Sequence, residues 1–256
     1  MTPELDLIVS FVRAFEDRRA PERVPFRYGT ALFNRSLPRL WDWNTLRIES
    51  ADGASAADLA READAVQGGA GLLHRKITVD DAALGERLAP GFERIGWQVQ
   101  PLLVMAHRRS PDRTPDLSGV DEVSEEALRP ARLAAAQGDS WSKDPETVRQ
   151  LIAGKQLKAE ATSIRWFAAR VDGQPASYCE LYSDGRTAQI EDVATLPKHR
   201  GKGLARAVVL RALAEARGTG HDLVFLLADA GDWPQELYAK LGFDPVGRFY
   251  SFLRAP

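Results

Sequence analysis

The sequence predicts an α/β protein (α+β, mixed sheet) built as two domains. Three observations point to it. The stretch Gln189–Arg217 reads as a strand, a glycine turn and a helix. Residues 119–256 alternate period-two apolar runs with period-3.6 apolar runs. The segment His74–Trp97 echoes His221–Phe243, so a similar unit occurs twice.

Composition narrows the class. The chain has 256 residues, 44% hydrophobic and 27% charged, so it is globular and can bury sizeable cores. A net charge of −2 argues against nucleic-acid binding through bulk charge. One cysteine, Cys179, excludes an intrachain disulfide and fits a reducing compartment such as the cytoplasm. No signal-peptide pattern and no run of 18 apolar residues occurs, so no membrane partner is expected. The four histidines are scattered, without H-E-x-x-H or C-x-x-C spacing, so no metal is expected.

In the first half, Leu5–Arg18 reads as an amphipathic helix. Strand-like runs follow at Ala31–Asn34 and Leu46–Glu49. Ser55 caps a helix to Val66, with Leu59, Ala63 and Val66 on one face. Leu72–Val79 is a strand, Asp80 or Asp81 opens a helix, Gly96 ends it, and Trp97–His107 is a long strand. Residues 110–118, rich in Pro, Asp and Ser, read as a linker between domains 1–109 and 119–256.

In the second half, a short strand at Val120–Val123 leads to a helix capped by Ser124. Asp144-Pro145 opens another helix towards Leu157. Thr162–Val171, Ala176–Tyr182 and Thr187–Leu196 are strands, the last two joined by Ser183-Asp184-Gly185-Arg186, a hairpin signal. The fully apolar Asp222–Asp229 is a central strand. A helix starts near Asp232-Trp-Pro-Gln and stops at Gly242, and Arg248–Leu253 is the last strand. The order is β-α-α-β-β-β-α-β-α-β, a mixed sheet with helices on both faces.

The glycine turn carries the chemistry. A helix N-terminus opening at Gly203 points into the basic turn Pro197-Lys-His-Arg-Gly201, which favours an anion through free N–H groups and the helix dipole. Arg206 stands where a dinucleotide fingerprint needs its third glycine, and no P-loop is present. What is present is Arg200-x-x-Gly203-x-Ala205. It resembles the pyrophosphate-binding signature of the GNAT superfamily of N-acetyltransferases, R/Q-x-x-G-x-G/A. A second family signature, L-Y-x-K-x-G-F, stands at Leu237–Phe243. The resemblance covers roughly residues 119–256.

The resemblance implies acetyl-CoA as cosubstrate. The pyrophosphate would lie on Arg200, Gly201, Lys202, Gly203, Leu204 and Ala205, and the pantetheine arm on the backbone of Val193 and Thr195. It also implies Tyr238 as the acid that protonates the leaving thiolate. The family often has asparagine seven residues before that tyrosine, and here Gly231 stands there.

A primary amine with a pKa of ~10.4 is deprotonated about once in 10³ at pH 7, so a base helps. Glu191 and Asp192 are the carboxylates at hand. If Asp184-Gly185 is a two-residue turn, Tyr178, Glu180, Tyr182, Gln189 and Glu191 share a polar face. Asp192 then sits alone on the apolar face. This favours Glu191 as base, directly or through water, and leaves Asp192 as a buried acceptor or the alternative base.

The repeat is degenerate. Phe92-Glu-Arg-Ile-Gly-Trp97 aligns with Tyr238-Ala-Lys-Leu-Gly-Phe243, and Ser50-Ala-Asp-Gly-Ala-Ser-Ala replaces the basic glycine turn. The expected protein is a tandem GNAT-like chain, monomer or homodimer, whose second half acetylates a small-molecule or peptide amine. Exposed Glu180 and Glu191 would suit a cationic acceptor. A non-catalytic acyl-CoA-binding regulatory protein is the alternative.

Overall fold

A computed structural model describes residues 2–136 and 143–256. Helix α1 (Pro3–Arg19) begins where the Thr2 hydroxyl accepts the Leu5 N–H and Pro3 fills the first turn. Strands β1 (Glu22–Phe26), β2 (Gly29–Phe33) and β3 (Thr45–Ile48) follow. Then come α2 (Ala56–Gly69), β4 (Arg75–Val79), α3 (Ala82–Arg94) and β5 (Gln98–His107). Strand β1 was not among the expected strands, because Arg23 and Pro25 interrupt its apolar pattern. It lies at the sheet edge, where proline's missing N–H costs least.

The second half has the expected order: β6 (Val120–Val123), α4 (Glu125–Ala135), α5 (Pro145–Ala161), β7 (Ser163–Val171), β8 (Gln174–Asp184), β9 (Thr187–Thr195), α6 (Leu204–Gly218), β10 (Leu223–Asp229), α7 (Pro234–Lys240) and β11 (Phe243–Arg254). The last strand begins at Phe243, five residues before the sequence pattern marked it, because Gly247 and Pro245 sit at a bulge in its middle.

All strands form one 11-stranded sheet in the order β1-β2-β3-β4-β11-β5-β10-β9-β8-β7-β6. The order is nearly palindromic about the β11–β5 pair. Each half has a parallel pair, β3–β4 in one and β9–β10 in the other. Each parallel pair then meets an antiparallel strand from the opposite half: β11 lies on β4, and β5 lies on β10. The two halves have exchanged their final strands, and the long antiparallel contact of β5 with β11 joins them.

The sheet is covered on both faces. On one, α2 and α3 bury Leu59, Leu88 and Phe92 with Ile77 and with Phe252 from β11. On the same face, α6 and α7 bury Val208, Leu213 and Tyr238 with Ile190, Leu226 and Met105, the last from β5. Each core therefore contains a side chain supplied by the other half. On the opposite face α1 lays Ile8, Phe11 and Phe15 over Val104, Phe225 and Phe249, and α5 packs beside it. Among the described residues no helix is long and apolar enough to cross a membrane.

Candidate active site

The β8–β9 hairpin turns one residue later than expected, at Gly185-Arg186, with Asp184 opposite Thr187. Tyr182 therefore faces Gln189 and Glu180 faces Glu191, whereas the sequence placed Glu180 against Gln189. Moving a turn by one residue changes the pairing by two, so side-chain parity survives. Glu191 and Gln189 do lie on the face of Tyr182 and Glu180, towards α5.

Asp192 is a correction. A bulge between Glu180/Glu191 and Tyr178/Ala194 inserts one residue, and Asp192 takes a left-handed backbone with φ 52°. Its carboxylate swings onto the polar face. There it accepts a hydrogen bond from Lys155 Nζ at 2.7 Å and lies 3.3 Å from Arg132 Nε. It is not isolated among apolar groups. The bulge also turns Val193 back towards the apolar core under α6 and sets Thr195 against Ser177, their hydroxyls 2.9 Å apart.

Glu180 is a second correction. It is 1% exposed, not open to the cleft. Arg132, Lys155 Nζ at 2.9 Å and the Tyr182 hydroxyl all donate to it. Burial pushes its carboxyl up, but the charges of Lys158, Lys155 and Arg132 reverse this and hold it at about 2. It is a fixed anion that anchors α4 and α5 to the sheet, so a cationic acceptor loses one of the two carboxylates expected for it. The residues that do this, Arg132, Lys155 and Lys158, escaped the sequence reading. The signal available was the Lys155/Lys158 spacing, which puts both on one helix face.

Glu191 has a different environment. Its partners are Gln189, whose Nε2 donates at 2.6 Å, and the backbone N–H of Asp192 at 3.3 Å. No salt bridge engages it among the described residues. Burial raises its pKa above the ordinary carboxylate value, with only Lys158's charge and the Asp192 N–H opposing. A carboxylate with a raised pKa and no bound cation can take a proton from an amine.

The strands open next to Glu191. Strands β9 and β10 pair from Leu223↔Thr187 to Leu226↔Ile190 and then part, although both continue. Among the described residues, 191–195 keep β8 as their only strand neighbour, which leaves one edge of that backbone without a strand partner. Past this edge the chain turns through Pro197–His199 into the Arg200–Gly203 loop, where Arg200 Nε donates to the Thr195 carbonyl at 3.3 Å. Gly201 and Gly203 have φ 76° and 79°, a conformation costly for other residues. Helix α6 starts at Gly203 with no side-chain cap and no acidic residue in its first turn. Its first N–H groups are left for an anion. Arg200, Lys202 and Lys198 are exposed around it, while Leu204 and Ala205 are half-buried. Arg206, in the first turn of α6, is buried and paired with Asp112 of the 110–118 segment.

Tyr238 stands on the other face of the sheet from Glu191, 7% exposed in the core beneath α6 and α7. Burial raises its hydroxyl pKa, and the charge of Glu191 adds to this. A phenol kept protonated can donate a proton to a departing group. Gly231 N–H is taken up by Asp229 Oδ1 at 2.8 Å, which closes the β10–α7 turn on itself.

On the Glu191 face lies a cavity of about 1190 Å³. Its floor is the middle of the sheet and its roof is α1, α5 and the segment Pro38–Trp43. Both halves therefore line it.

The first half has the same strand–loop–helix plan but a closed site. Strands β3 and β4 stay paired to their ends at Ile48↔Val79, so no gap opens. At the N-terminus of α2 the Ser55 hydroxyl accepts the Asp58 N–H, and Asp58 Oδ2 accepts the Ser55 N–H at 2.9 Å. This capping box satisfies the donors and places a carboxylate where an anion would bind. The Arg87 guanidinium fills the preceding loop, donating to the carbonyls of Ala51 and Ala54.

Two parted parallel strands leading into an uncapped helix, within a mixed sheet, define the fold of an acyl-CoA N-acyltransferase. Residues 125–243 match the family described as Acetyltransferase (GNAT) family, and the chain carries a GNAT acetyltransferase domain there. Solved structures agree on the fold over nearly the whole length. A GCN5-related N-acetyltransferase from Kribbella flavida matches with TM-score 0.63 and 17% identity, covering 100% of this chain and 97% of its own. A functionally unknown conserved protein from Staphylococcus epidermidis matches with TM-score 0.66 and 15% identity, covering 91% and 93%. A tandem GNAT protein from the clavulanic acid biosynthesis pathway matches with TM-score 0.53 and 15% identity, covering 81% and 74%. No curated protein matches the sequence.

Proposed function

We propose that this protein moves the acetyl group of acetyl-CoA to the amine of a small-molecule acceptor. In this reading residues 119–256 work, 110–118 link, and 1–109 are a degenerate copy that walls the acceptor cavity. The observation that carries it is the strand gap at Glu191, with an uncapped helix at its mouth, a carboxylate of raised pKa on one face and a protonated tyrosine on the other. The roof of α1 and α5 over the cavity supports a small acceptor rather than a peptide. Location in the cytoplasm and a monomeric or homodimeric state belong to the same proposal.

The residues fit the cosubstrate. Uncapped N–H groups from Arg200 to Ala205 would hold the pyrophosphate, with Gly201 and Gly203 presenting open space where side chains would intrude. The unpaired edge at Val193 and Thr195 would hold the pantetheine arm. Acetyl-CoA supplies an activated thioester. Glu191 takes the amine proton, and Tyr238 supplies the proton for the departing thiol. Because a thiol of pKa ~8.5 leaves without much help, Tyr238→Phe is expected to lower kcat by about 10²-fold or less. Full turnover by that variant at saturating acetyl-CoA would remove Tyr238 from the mechanism.

Gly203→Val is expected to weaken acetyl-CoA binding at least ~10-fold. A β-branched residue in the left-handed region costs about 1–2 kcal/mol or more, and its side chain would stand at the anion site. Isothermal titration checks this. The proposal itself is tested by release of free thiol from acetyl-CoA over a panel of primary amines. Amine-dependent release is expected. Tight binding without release on any amine would favour the non-catalytic acyl-CoA-binding alternative.

A further inference from the structure

The charged side chains of the cavity wall are mostly matched in pairs. Glu16 lies 3.3 Å from Arg47, which also holds Asp17 at 2.8 Å and Glu49 at 3.3 Å. Asp80 is taken by Arg13 at 2.5 Å, Asp42 by Lys76, and Lys155 by Glu180 and Asp192. Two cations of the wall, Arg19 and Lys158, have no carboxylate oxygen closer than 3.9 Å among the described residues.

Arg19, at the end of α1, enters no salt bridge among the described residues. Its Nη2 donates to the Asp42 carbonyl at 2.7 Å, and its guanidinium lies over the rings of Phe15 and Trp43, 5.3 Å from each centroid. Those contacts fix its direction, and the carboxylates of Glu16 and Asp42 reach it only through space. Lys158, on α5, is bonded to the Tyr182 hydroxyl at 3.0 Å, and its nearest carboxylate oxygen, on Glu180, is 3.9 Å away. Glu180 is already shared with Arg132 and Lys155. Burial lowers the Lys158 pKa, and the charges of Glu180, Asp192 and Glu191 only partly restore it.

The two cations flank one aromatic pair. Phe15 meets Tyr182 at 5.4 Å, and Arg19 lies 5.3 Å from the Phe15 ring and Lys158 5.6 Å from the Tyr182 ring. Tyr182 is the cross-strand partner of Gln189, which in turn holds Glu191. The sequence of groups along the wall is therefore base, lysine, aromatic pair, arginine. Glu191 and these two cations line the same cavity.

We propose that the amine acceptor also carries an anionic group, carboxylate or phosphate, which Arg19 and Lys158 receive beside the amine held at Glu191. The proposal rests on the acetyltransferase reading above and reverses the cationic acceptor expected from sequence. The anion gives Arg19 a direct ionic partner and Lys158 one closer than Glu180.

The test uses matched amines: an α-amino acid against its amide, and phosphoethanolamine against ethanolamine. Thiol release should favour an anionic member by about 10- to 100-fold in kcat/KM, mainly through KM. The pair showing the preference identifies the anion as carboxylate or phosphate. Arg19→Gln should bring that ratio close to one, and Arg19→Lys should retain part of it. Equal or reversed preference in the wild type, or a ratio unchanged in Arg19→Gln, would overturn the proposal. If no amine is acetylated, the acetyltransferase reading fails separately. Equilibrium binding of the same amino acid and phosphoethanolamine then decides: saturable binding lost in Arg19→Gln supports the anion site, and absent or Arg19-independent binding rejects it.

Discussion

Residues 1–109 produced alone are expected to be unfolded or aggregated, and to gain structure only when residues 110–256 are supplied. Strand exchange is the reason. Without β11, strand β4 loses its antiparallel neighbour and presents an open edge, and β5 loses ten residues of pairing. The first-half core also loses Phe252, which is fully buried and stacks on Phe92 at 4.3 Å, together with Tyr250. In the intact chain, Phe252→Ala removes only the ring. It is expected to cost about 3–5 kcal/mol, a large part of the usual stability of about 5–15 kcal/mol. Urea unfolding of the variant and circular dichroism of the fragment, alone and mixed with its complement, check both. A cooperatively folded, monomeric 1–109 would show that the exchanged strand is dispensable.

Glu191→Gln is expected to lower kcat/KM by about 10²- to 10⁴-fold, the range for loss of a positioned base. The pH profile should change with it. The base works as a carboxylate, and burial raises its pKa above the ordinary value. Wild-type kcat/KM should therefore fall as pH drops through that raised pKa, and the variant should lack this acid limb. Asp192 is a poor substitute, because Lys155 and Arg132 hold its carboxylate. If Glu191→Gln keeps wild-type activity and the same acid limb, proton transfer belongs to water or another group.

The second half was readable element by element because its signals are local. Prolines and glycines mark the ends of its strands and helices, and the run Leu223–Leu227 fixes a central strand. Side-chain parity on β8 and β9 also survived a misplaced turn. The bulge at Asp192 was not readable. It depends on Lys155 and Arg132 reaching across from α5 and α4, which no spacing within β9 encodes. Glu180 was misjudged for the same reason, since strand parity tells which face a carboxylate takes but not whether a helix covers it. The repeat of His74–Trp97 in His221–Phe243 was visible, but the exchange of β5 and β11 was not. Both strands would read the same whether they paired within their own half or across. Position-by-position comparison also could not show that Ser55, Asp58 and Arg87 close the first-half site with its own side chains.

The most direct test is the number and place of cosubstrate sites, measured by isothermal titration of the full chain with acetyl-CoA. One site per chain is expected, weakened at least ~10-fold by Gly203→Val and unchanged by Ser55→Ala. Two sites per chain, or binding that survives Gly203→Val and is lost with Ser55→Ala, would contradict a single working site at the start of α6.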